Sequence, residues 1–379
     1  MRLAVVRQRY TPFGGAERFL ENALAALAER GVAVTLYTRK WPQAPVKSVA
    51  TRIVDPFHVG ALWRDMGFAR AVCRALDRDQ PGLVQSHERL ACCDIFRAGD
   101  GVHAAWLDER LRDASVARRI AVRLNPHHRY RIAIERRMYA SERLKAVICN
   151  SGMVKDEIRE RFGIPGERLH VIYNAVDTSV YSPELRTERS PLRERLGIAE
   201  AATVFLFVGS GFERKGVATA IDALALLDAQ SHLIVVGRDK HLHRYADRAR
   251  ALGVAARVTL TGPQQDPRPY YGAADAFVLP TLYDPCPNAA LEAMACALPI
   301  VTSTKSGAAE IALAHDAGLV CRAGDTAALA AHMRSLGDPA LRSRLGANAR
   351  AAVLPLTSSA MTQKLLTLYR DLLGARPPT

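Results

Sequence analysis

The sequence predicts an α/β protein with two doubly wound domains, each built on a parallel sheet. Short β-branched runs alternate with amphipathic stretches of helical period along the chain. A polar, proline-containing segment at residues 182–200 interrupts this alternation, which then starts again. The length of 379 residues and a hydrophobic content of 49% are sufficient for two ordinary globular cores.

The first half alternates predicted strands with predicted helices. The helix at 16–30 carries an apolar stripe that includes Phe19, Ala23 and Leu27, and it ends at Gly31, a residue typical of helix C-termini. The strands are predicted at residues 3–8, 32–37, 83–86, 94–99, 146–150 and 169–173, and the further helices at 62–77 and 153–162.

The second half repeats this pattern after the polar segment. Its last stretch, residues 358–373, has apolar residues at helical spacing and predicts an amphipathic helix. The other predicted helices lie at 217–227, 243–252, 268–274 and 326–336, and the strands at 204–211, 233–237, 257–262, 276–280 and 299–303.

These patterns set the expected domain limits. We expect a first domain at 1–182, a linker at 183–203, a second domain at 204–355, and a C-terminal helix at 356–379 that packs back toward the first domain. Two such sheets imply a cleft between their carboxyl ends, where doubly wound folds bind ligands. Closure of that cleft over a donor and an acceptor would exclude water.

Cysteine usage and hydropathy favour a cytosolic protein. Seven cysteines lie at scattered positions without a C-x-x-C pair or metal-ligand spacing, so we expect reduced thiols. The N-terminal apolar run ends at Arg7, too short for a signal peptide. No other run approaches the roughly 18 apolar residues of a membrane span. We expect a protein that is soluble or peripheral on a membrane.

Positive charge is concentrated in the first half. Residues 1–150 carry 26 Lys or Arg and 15 Asp or Glu, and residues 118–145 carry nine basic and two acidic residues. Such a field favours an anionic partner, which could be a lipid, a lipid-linked glycan or a nucleic acid. The alternative is a solvated, arginine-rich helix face without a partner. Aromatic residues make up only 6% of the chain, which disfavours nucleic acid.

The stretch at 283–302 predicts a binding site, because it has the pattern of a loop, a helix and a buried strand. Asp284 falls in the loop and Glu292 just inside the helix, with seven residues between them. A helix N-terminus attracts anions, and carboxylates accept hydrogen bonds from sugar hydroxyls. The pair therefore suits a nucleotide diphosphate with its ribose, as in an enzyme that handles an activated sugar.

The segment at 209–217 links the first strand of the second domain to a helix. Arg214 and Lys215 place two cations where the strand ends, and a departing phosphoryl group needs such charge. The alternative is a strand-to-helix turn with ordinary surface cations. The presence of Asp284 and Glu292 in the same half favours the functional interpretation.

Two loops of the first half are further candidates. Gly14 and Gly15 lie between the first strand and the first helix, where the helix N-terminus could meet an anion or a sugar hydroxyl. Asp100 and His103 follow the strand at 94–99. His103 could hydrogen-bond a transferred sugar, and Asp100 could orient or deprotonate an acceptor hydroxyl. The alternative for Asp100 is a turn residue that caps the next helix.

No metal site is predicted. Asp77 and Asp79 form a D-x-D triplet, but it ends a helix instead of following a strand. His127 and His128 have no acidic or cysteine cluster beside them, and we interpret them as solvated.

Several words of the sequence together resemble glycosyltransferase family 4. They are FGGAER at 13–18, YNAVDTSVY at 173–181, VGSGFERKG at 208–216, the stretch at 273–301 and SGAAEI at 306–311. The resemblance covers nearly the full length and implies the GT-B fold, two Rossmann-like doubly wound domains that face each other. Within the family, the first and third words and AGDGVH at 98–103 are most similar to lipopolysaccharide core glucosyltransferases.

The resemblance implies a retaining, metal-independent transfer from a nucleotide sugar, with no other cofactor. By position, it implies that Arg214 and Lys215 hold the diphosphate, that Glu292 binds the ribose and that Asp284 meets the donor sugar. Retention without an evident nucleophile suggests a front-face displacement. Further donor contacts are implied for Gly14, Gly15, Cys286, Pro287, Asn288 and Ala289.

The chain departs from the usual family pattern at the donor loop. Asp284 stands where the family usually has glutamate, and Cys286 and Asn288 replace a glycine-rich loop. Ser210 occupies the place of an arginine found in many relatives, which leaves Arg214 and Lys215 as the main cations. These departures leave the identity of the donor sugar open.

The expected function is transfer of a hexose, glucose, from a UDP-sugar to an anionic lipid-linked glycan, the lipopolysaccharide inner core. The expected location is the cytoplasm, peripheral on the inner membrane, with no nucleic-acid partner. The alternatives are another polysaccharide or a small acceptor. A nucleic-acid-binding protein would explain the charge of the first half but not Asp284 and Glu292.

Overall fold

The structure, a computed structural model, describes residues 2–9, 24, 27, 29, 31–41, 49–112 and 114–374. It confirms the predicted α/β class, because the described strands form two sheets in which every pair is parallel. The chain divides into two units. The first comprises residues 1–174 and 358–379, and the second residues 175–357.

The sheet of the first unit has the order β3-β2-β1-β4-β5-β6-β7 among the described strands. The chain order reverses at β1, where Leu3 pairs with Val34 on one side and Leu83 on the other. A reversal of this kind opens a crevice at the carboxyl ends of the strands. The strands are Arg2–Val6 (β1), Ala33–Thr38 (β2), Ala50–Ile53 (β3), Leu83–Ser86 (β4), Ile95–Arg97 (β5), Ala146–Cys149 (β6) and Leu169–Val171 (β7).

Helices connect these strands, and the C-terminal helix Ser358–Gly374 belongs to the same unit. Tyr369 of this helix donates a 2.5 Å hydrogen bond from its hydroxyl to Oε1 of Gln85 in β4. The other described helices are Gly60–Asp79, His103–Leu111, Val116–Leu124, Pro126–Tyr139 and Gly152–Phe162, with a 3₁₀ turn at Gly166–Arg168.

The sheet of the second unit has the order β10-β9-β8-β11-β12-β13. Its central strands β8 and β11 are nearly continuous apolar runs, because helices cover both faces of a parallel sheet. The strands are Thr203–Val208 (β8), Ser231–Val236 (β9), Val258–Gly262 (β10), Ala276–Leu279 (β11), Ile300–Ser303 (β12) and Gly318–Cys321 (β13).

The helices of the second unit follow the predicted alternation. They are Arg189–Leu196, Phe212–Lys215, Val217–Ala225, Leu242–Ala251, Arg268–Ala273, Asn288–Ala295, Ala308–Ala314, Thr326–Ser335 and Pro339–Val353, with 3₁₀ turns at Pro183–Glu188 and Ala255–Arg257.

The segment at 183–203, expected to be a linker, is instead part of the second unit. Arg193 in its helix is buried, and its guanidinium donates to the carbonyl oxygens of Glu200, Ala202 and Ala273 and, at 2.7 Å, to Asp275. A buried charge is stable only when it is paired and hydrogen-bonded. The polar composition of this segment therefore reflects internal ion pairs as well as solvent exposure.

Replacing Asp275 with alanine is expected to lower the free energy of unfolding by about 3–5 kcal/mol, because it leaves Arg193 buried without its counter-charge. Burial alone would raise the pKa of Asp275, but the Val204 N–H and the neighbouring arginines hold it below its usual range. Urea denaturation followed by circular dichroism measures the change. Asp266→Ala, which removes an exposed pair with Arg268, is the control and should change stability by less than about 1 kcal/mol.

The expectation that all cysteines are reduced is wrong for one pair. Cys73 in the helix Gly60–Asp79 and Cys92 beyond β4 form a disulfide. The bond joins residues 19 positions apart without any motif, so only the packing of the helix against that turn brings the sulfurs together. The remaining five cysteines are free and buried.

Most of the predicted first helix lies outside the described residues, as do Gly14 and Gly15. Leu24, Leu27 and Glu29 are described and are helical. The expected stop at Gly31 is present as a turn with a positive φ of 74°.

Candidate active site

The candidate donor site lies at the carboxyl ends of β8 and β11 in the second unit. The order of the sheet reverses between these two strands, which is where doubly wound sheets bind ligands. The loop at 209–216 follows β8, and the loop at 280–287 follows β11. These two loops carry most of the site residues predicted from the sequence.

Glycines allow the two loops to approach each other. A Cβ at Gly216, which has a φ of +79°, would lie 2.1 Å from the carbonyl oxygen of Pro280. A Cβ at Gly209 would lie 2.6 Å from Cδ of Lys215. Glycine at 209 therefore leaves the space through which the Lys215 side chain reaches the second loop.

Lys215 and Asp284 form an ion pair across the two loops. Lys215 Nζ lies 2.7 Å from Asp284 Oδ2, and both side chains are largely buried. The sequence identified both residues but as separate contacts, to diphosphate and to sugar. In the structure, each fixes the position of the other, so a ligand must engage them together.

Arg214 joins the same two loops through one nitrogen. Its Nε donates a 2.7 Å hydrogen bond to the carbonyl oxygen of Tyr283. Its own carbonyl oxygen accepts from the Thr281 hydroxyl at 3.0 Å and from the Leu282 N–H at 2.8 Å. The two terminal nitrogens of Arg214 make no hydrogen bond or ion pair with any described residue. They form a planar fork that suits phosphate oxygens.

The loop after β12 holds the backbone of Asp284. The Asp284 N–H donates to the carbonyl oxygen of Lys305, and the Gly307 N–H donates to the carbonyl oxygen of Asp284, both at 2.9 Å. These contacts form a parallel bridge to Ser306. Three hydrogen bonds therefore fix Asp284, one from Lys215 at its carboxylate and two with this loop at its backbone.

The helix Asn288–Ala295 points its N-terminus toward this loop. Pro287 is its N-cap residue and makes no side-chain cap bond, and the dipole of a helix favours an anion at its N-terminus. Asn288 and Ala289 are its first two residues and are half-buried. Cys286 precedes the cap, is buried and is not part of a disulfide.

Glu292 is buried within the second unit, with only 6% of its surface exposed. Its Oε2 accepts a 2.8 Å hydrogen bond from the hydroxyl of Tyr271, whose own side chain is fully buried. Burial and the adjacent carboxylate raise the pKa of Tyr271 well above its usual value, so the tyrosine stays a donor. Local spacing does not indicate this partner, and the assignment of Glu292 to a ribose stays a prediction.

In the first unit, Asp100 and His103 lie on one turn after β5. Asp100 is exposed, whereas His103 is buried as the first residue of the helix His103–Leu111. Asp100 does not cap this helix, since its N-cap is Val102 and makes no side-chain cap bond. The carboxylate that accepts a hydrogen bond from the first N–H of this helix comes from elsewhere in the chain.

That carboxylate belongs to Glu135, which sequence reasoning missed. Glu135 is 1% exposed and accepts the N–H of His103 at 3.1 Å and Nε of Arg89 at 2.9 Å. Arg89 in turn donates from Nη2 to the carbonyl oxygen of Gly101 at 3.0 Å. The Arg89–Glu135 pair therefore holds both ends of the turn between Gly101 and His103.

The ring of His103 is also engaged. Its Nε2 lies 3.1 Å from Nδ1 of His128. The neighbouring His127 is also engaged, since its Nε2 lies 3.1 Å from Oδ2 of Asp65. The interpretation of His127 and His128 as solvated is therefore wrong. Burial, followed by the nearby charges of Arg89 and other basic groups, lowers the pKa of His103 to about 2. His103 is neutral near pH 7 and acts there as a hydrogen-bonding group.

Two family models match this chain. The model described as Glycosyltransferase Family 4 matches residues 13–180, and the model described as Glycosyl transferases group 1 matches residues 202–338. Together they cover both units and include the loops that form the candidate donor site. The matched ranges also include Asp100, His103 and Glu135.

Two individual relatives each share less than 30% of their aligned residues with this chain. A probable transglycosylase of Burkholderia thailandensis is 29% identical over 349 residues, covering 90% of this chain and 88% of the relative. The lipopolysaccharide glucosyltransferase WaaG of Escherichia coli is 25% identical over 322 residues, covering 81% of each.

Solved structures share the fold. A crystal structure of WaaG, a glycosyltransferase involved in lipopolysaccharide biosynthesis, has a TM-score of 0.83 at 23% identity and covers 99% of this chain and 100% of that one. Anabaena HepE, in complex with UDP-glucose, has a TM-score of 0.73 at 19% identity, covering 97% and 99%. The structure thus matches the GT-B fold. The two family models, which together match most of the chain, show that it belongs to glycosyltransferase family 4.

Proposed function

We propose that this protein is a retaining glycosyltransferase that moves glucose from UDP-glucose to a phosphorylated, lipid-linked glycan of the lipopolysaccharide inner core. The observation that carries the donor assignment is the arrangement at the ends of β8 and β11. There, the Lys215–Asp284 ion pair joins the two loops, and Arg214 lies beside it with its guanidinium. The loop that carries Asp284 leads into the helix Asn288–Ala295, which has no side-chain cap. The likeness to HepE, whose structure holds UDP-glucose, and to WaaG supports the choice of donor and acceptor.

The donor diphosphate would bind to the cations at the end of β8. Arg214 would offer two nitrogens to its oxygens, and Lys215 would stabilise the charge that develops as the diphosphate leaves. Two protein cations in these positions can carry the role that a metal ion has in other transferases, which supports a metal-independent reaction. Asp284 would keep Lys215 in place and accept a hydrogen bond from a sugar hydroxyl.

The transfer would proceed on one face of the sugar. The bond between the anomeric carbon and the diphosphate oxygen breaks, and the bond to the acceptor oxygen forms on the same face. The proton of the acceptor hydroxyl moves to the departing diphosphate. Asp100, exposed on its turn, would orient the acceptor hydroxyl, and neutral His103 would fix the turn and the sugar by hydrogen bonds.

A panel of UDP-, GDP- and ADP-sugars tests the donor assignment. UDP-glucose is expected to be hydrolysed slowly without acceptor and to protect the protein against heat, because ligand binding stabilises the folded state. Turnover of a GDP- or ADP-sugar in place of UDP-glucose would contradict the assignment. Protection by none of them would refute the proposed function.

An amphipathic surface helix supports the lipid-linked acceptor and a peripheral position at the inner membrane. Three apolar residues lie four positions apart on the helix Val116–Leu124 and are exposed: Val116, Ile120 and Leu124. The same helix carries three arginines. Apolar residues beside cations favour the surface of an anionic bilayer. Within the described part of the chain, no helix is long and apolar enough to cross a membrane.

Leu124→Ser is expected to reduce binding to phosphatidylglycerol vesicles severalfold at low salt, because burial of a leucine side chain contributes roughly 1.5–3 kcal/mol. Sedimentation of the vesicles with bound protein measures the effect. Leu313→Ser is the matched control, since Leu313 is 66% exposed and Leu124 is 64% exposed. Equal binding of both variants would contradict the membrane surface and favour a soluble acceptor.

A further inference from the structure

A cavity in the first unit lies beside the turn that carries His103. It has a volume of about 380 Å³ and lies among the helices His103–Leu111, Val116–Leu124 and Pro126–Tyr139. That volume falls within the roughly 300–1,000 Å³ range of small-molecule sites. The cavity therefore has room for one sugar unit with its substituents.

The cavity is lined by basic side chains together with apolar ones. Four arginines line it, together with leucine, valine and isoleucine side chains from all three helices. Among the described residues that line it, the one carboxylate is that of Asp108, which accepts a 2.7 Å hydrogen bond from Arg161. The arginines are Arg112, Arg119, Arg123 and Arg129.

Two of these arginines are fixed and two are open. Arg112 pairs with Glu109, and Arg119 donates to the backbone carbonyl oxygens of Leu111 and Arg112. Arg123 and Arg129 make no ion pair or side-chain hydrogen bond with any residue that the structure describes. Two guanidinium groups beside a cavity suit a phosphate group, which accepts planar pairs of hydrogen bonds.

The cavity is also connected to the candidate acceptor turn. His128 lines it, and Nδ1 of His128 lies 3.1 Å from Nε2 of His103. A ligand in the cavity is therefore one side chain away from His103 within the same unit. This proximity distinguishes the cavity from an arbitrary basic patch on the surface.

We propose that this cavity binds the phosphate of a phosphorylated sugar in the acceptor glycan. Arg123 and Arg129 contact the phosphate oxygens, and the apolar side chains, among them Leu107 and Val122, pack against the C–H face of the ring. The acceptor is then selected by a phosphate on a sugar that neighbours the one to be glycosylated. The inference rests on the proposed function, because it assigns a position to the acceptor of that reaction.

Calorimetry with glucose 6-phosphate as the probe tests the inference, in the presence of saturating UDP so that the donor site is occupied. The Arg123→Gln/Arg129→Gln variant is expected to bind the sugar phosphate at least about tenfold more weakly, because it loses charge-assisted hydrogen bonds. Arg136→Gln/Arg137→Gln is the control, since these arginines lie on the same helix as Arg129, are exposed and do not line the cavity. The control is expected to bind as the unaltered protein does.

Three results would overturn the inference: no binding of glucose 6-phosphate, equal weakening in both variants, or equal affinity for inorganic phosphate and the sugar phosphate. Since Arg123 and Arg129 are exposed, both variants should fold, and their melting temperatures check this. Hydrolysis of UDP-glucose, measured on the same protein preparations without added UDP, reports on the proposed function separately. Normal hydrolysis without sugar-phosphate binding would refute the cavity assignment alone.

Discussion

Replacing Lys215 with methionine is expected to lower kcat for glucose transfer by about 10²- to 10³-fold, the usual effect of removing one group that stabilises charge in a transition state. The physical reason is the 2.7 Å pair with Asp284 at the end of β8. Without the lysine, the carboxylate is unneutralised where the diphosphate leaves with its negative charge. Steady-state kinetics with UDP-glucose measures the loss, and calorimetry with UDP measures donor affinity.

The Lys215→Met/Asp284→Leu double variant separates this electrostatic role from a structural one. It removes both charges, so the fold no longer contains an unpaired carboxylate. We expect it to be as stable as the unaltered protein within about 1–2 kcal/mol and still to transfer glucose poorly. Recovery of full activity in the double variant would mean that Lys215 serves only to neutralise Asp284.

Replacing Glu135 with glutamine is expected to lower the free energy of unfolding by about 3–5 kcal/mol, because it leaves Arg89 buried without its counter-charge. Transfer should also fall, since Glu135 accepts the N–H of His103 and Arg89 holds Gly101. We regard Glu135 and Arg89 as positioning residues for the turn that carries Asp100. Urea denaturation measures the stability, and kcat and KM with acceptor measure the function.

An Arg89→Met/Glu135→Met double variant distinguishes positioning from stability alone. Removal of both charges is expected to restore much of the stability, whereas the turn at Gly101 to His103 loses both of its hydrogen-bond partners. We expect a stable protein with reduced kcat and an unchanged affinity for UDP, because the proposed donor site lies in the second unit. Normal kcat in this variant would show that the pair only stabilises the first unit.

The fold was predictable where a strand is buried on both faces. The run Thr203–Val208 is apolar almost throughout, and its neighbours β9, β11 and β12 have the same character. Two strands were missed. Ala50–Ile53 is an edge strand with mostly exposed residues, and Gly318–Cys321 begins with a glycine, at which a Cβ would lie 2.2 Å from the carbonyl oxygen of Ile300. Both strands are four residues long and lie at the edge of their sheets.

The site was predictable only where its chemistry lies in one continuous segment. The loops that carry Arg214, Lys215 and Asp284 are such segments, since each joins a strand to a helix. The hydrogen-bond partners of Glu292 and Glu135, in contrast, are distant in the sequence. Tyr271 is 21 residues from Glu292, and Arg89 is 46 residues from Glu135. Hydrogen bonds of this kind depend on how elements pack, which local spacing does not encode.

A crystal structure of the protein with bound UDP would locate the donor site. We expect the diphosphate against Arg214, Lys215 and the N-terminus of the helix Asn288–Ala295, with a ribose hydroxyl hydrogen-bonded to Glu292 in exchange for its Tyr271 contact. Nucleotide bound elsewhere, or Glu292 still held by Tyr271 and out of reach of the ribose, would contradict this assignment.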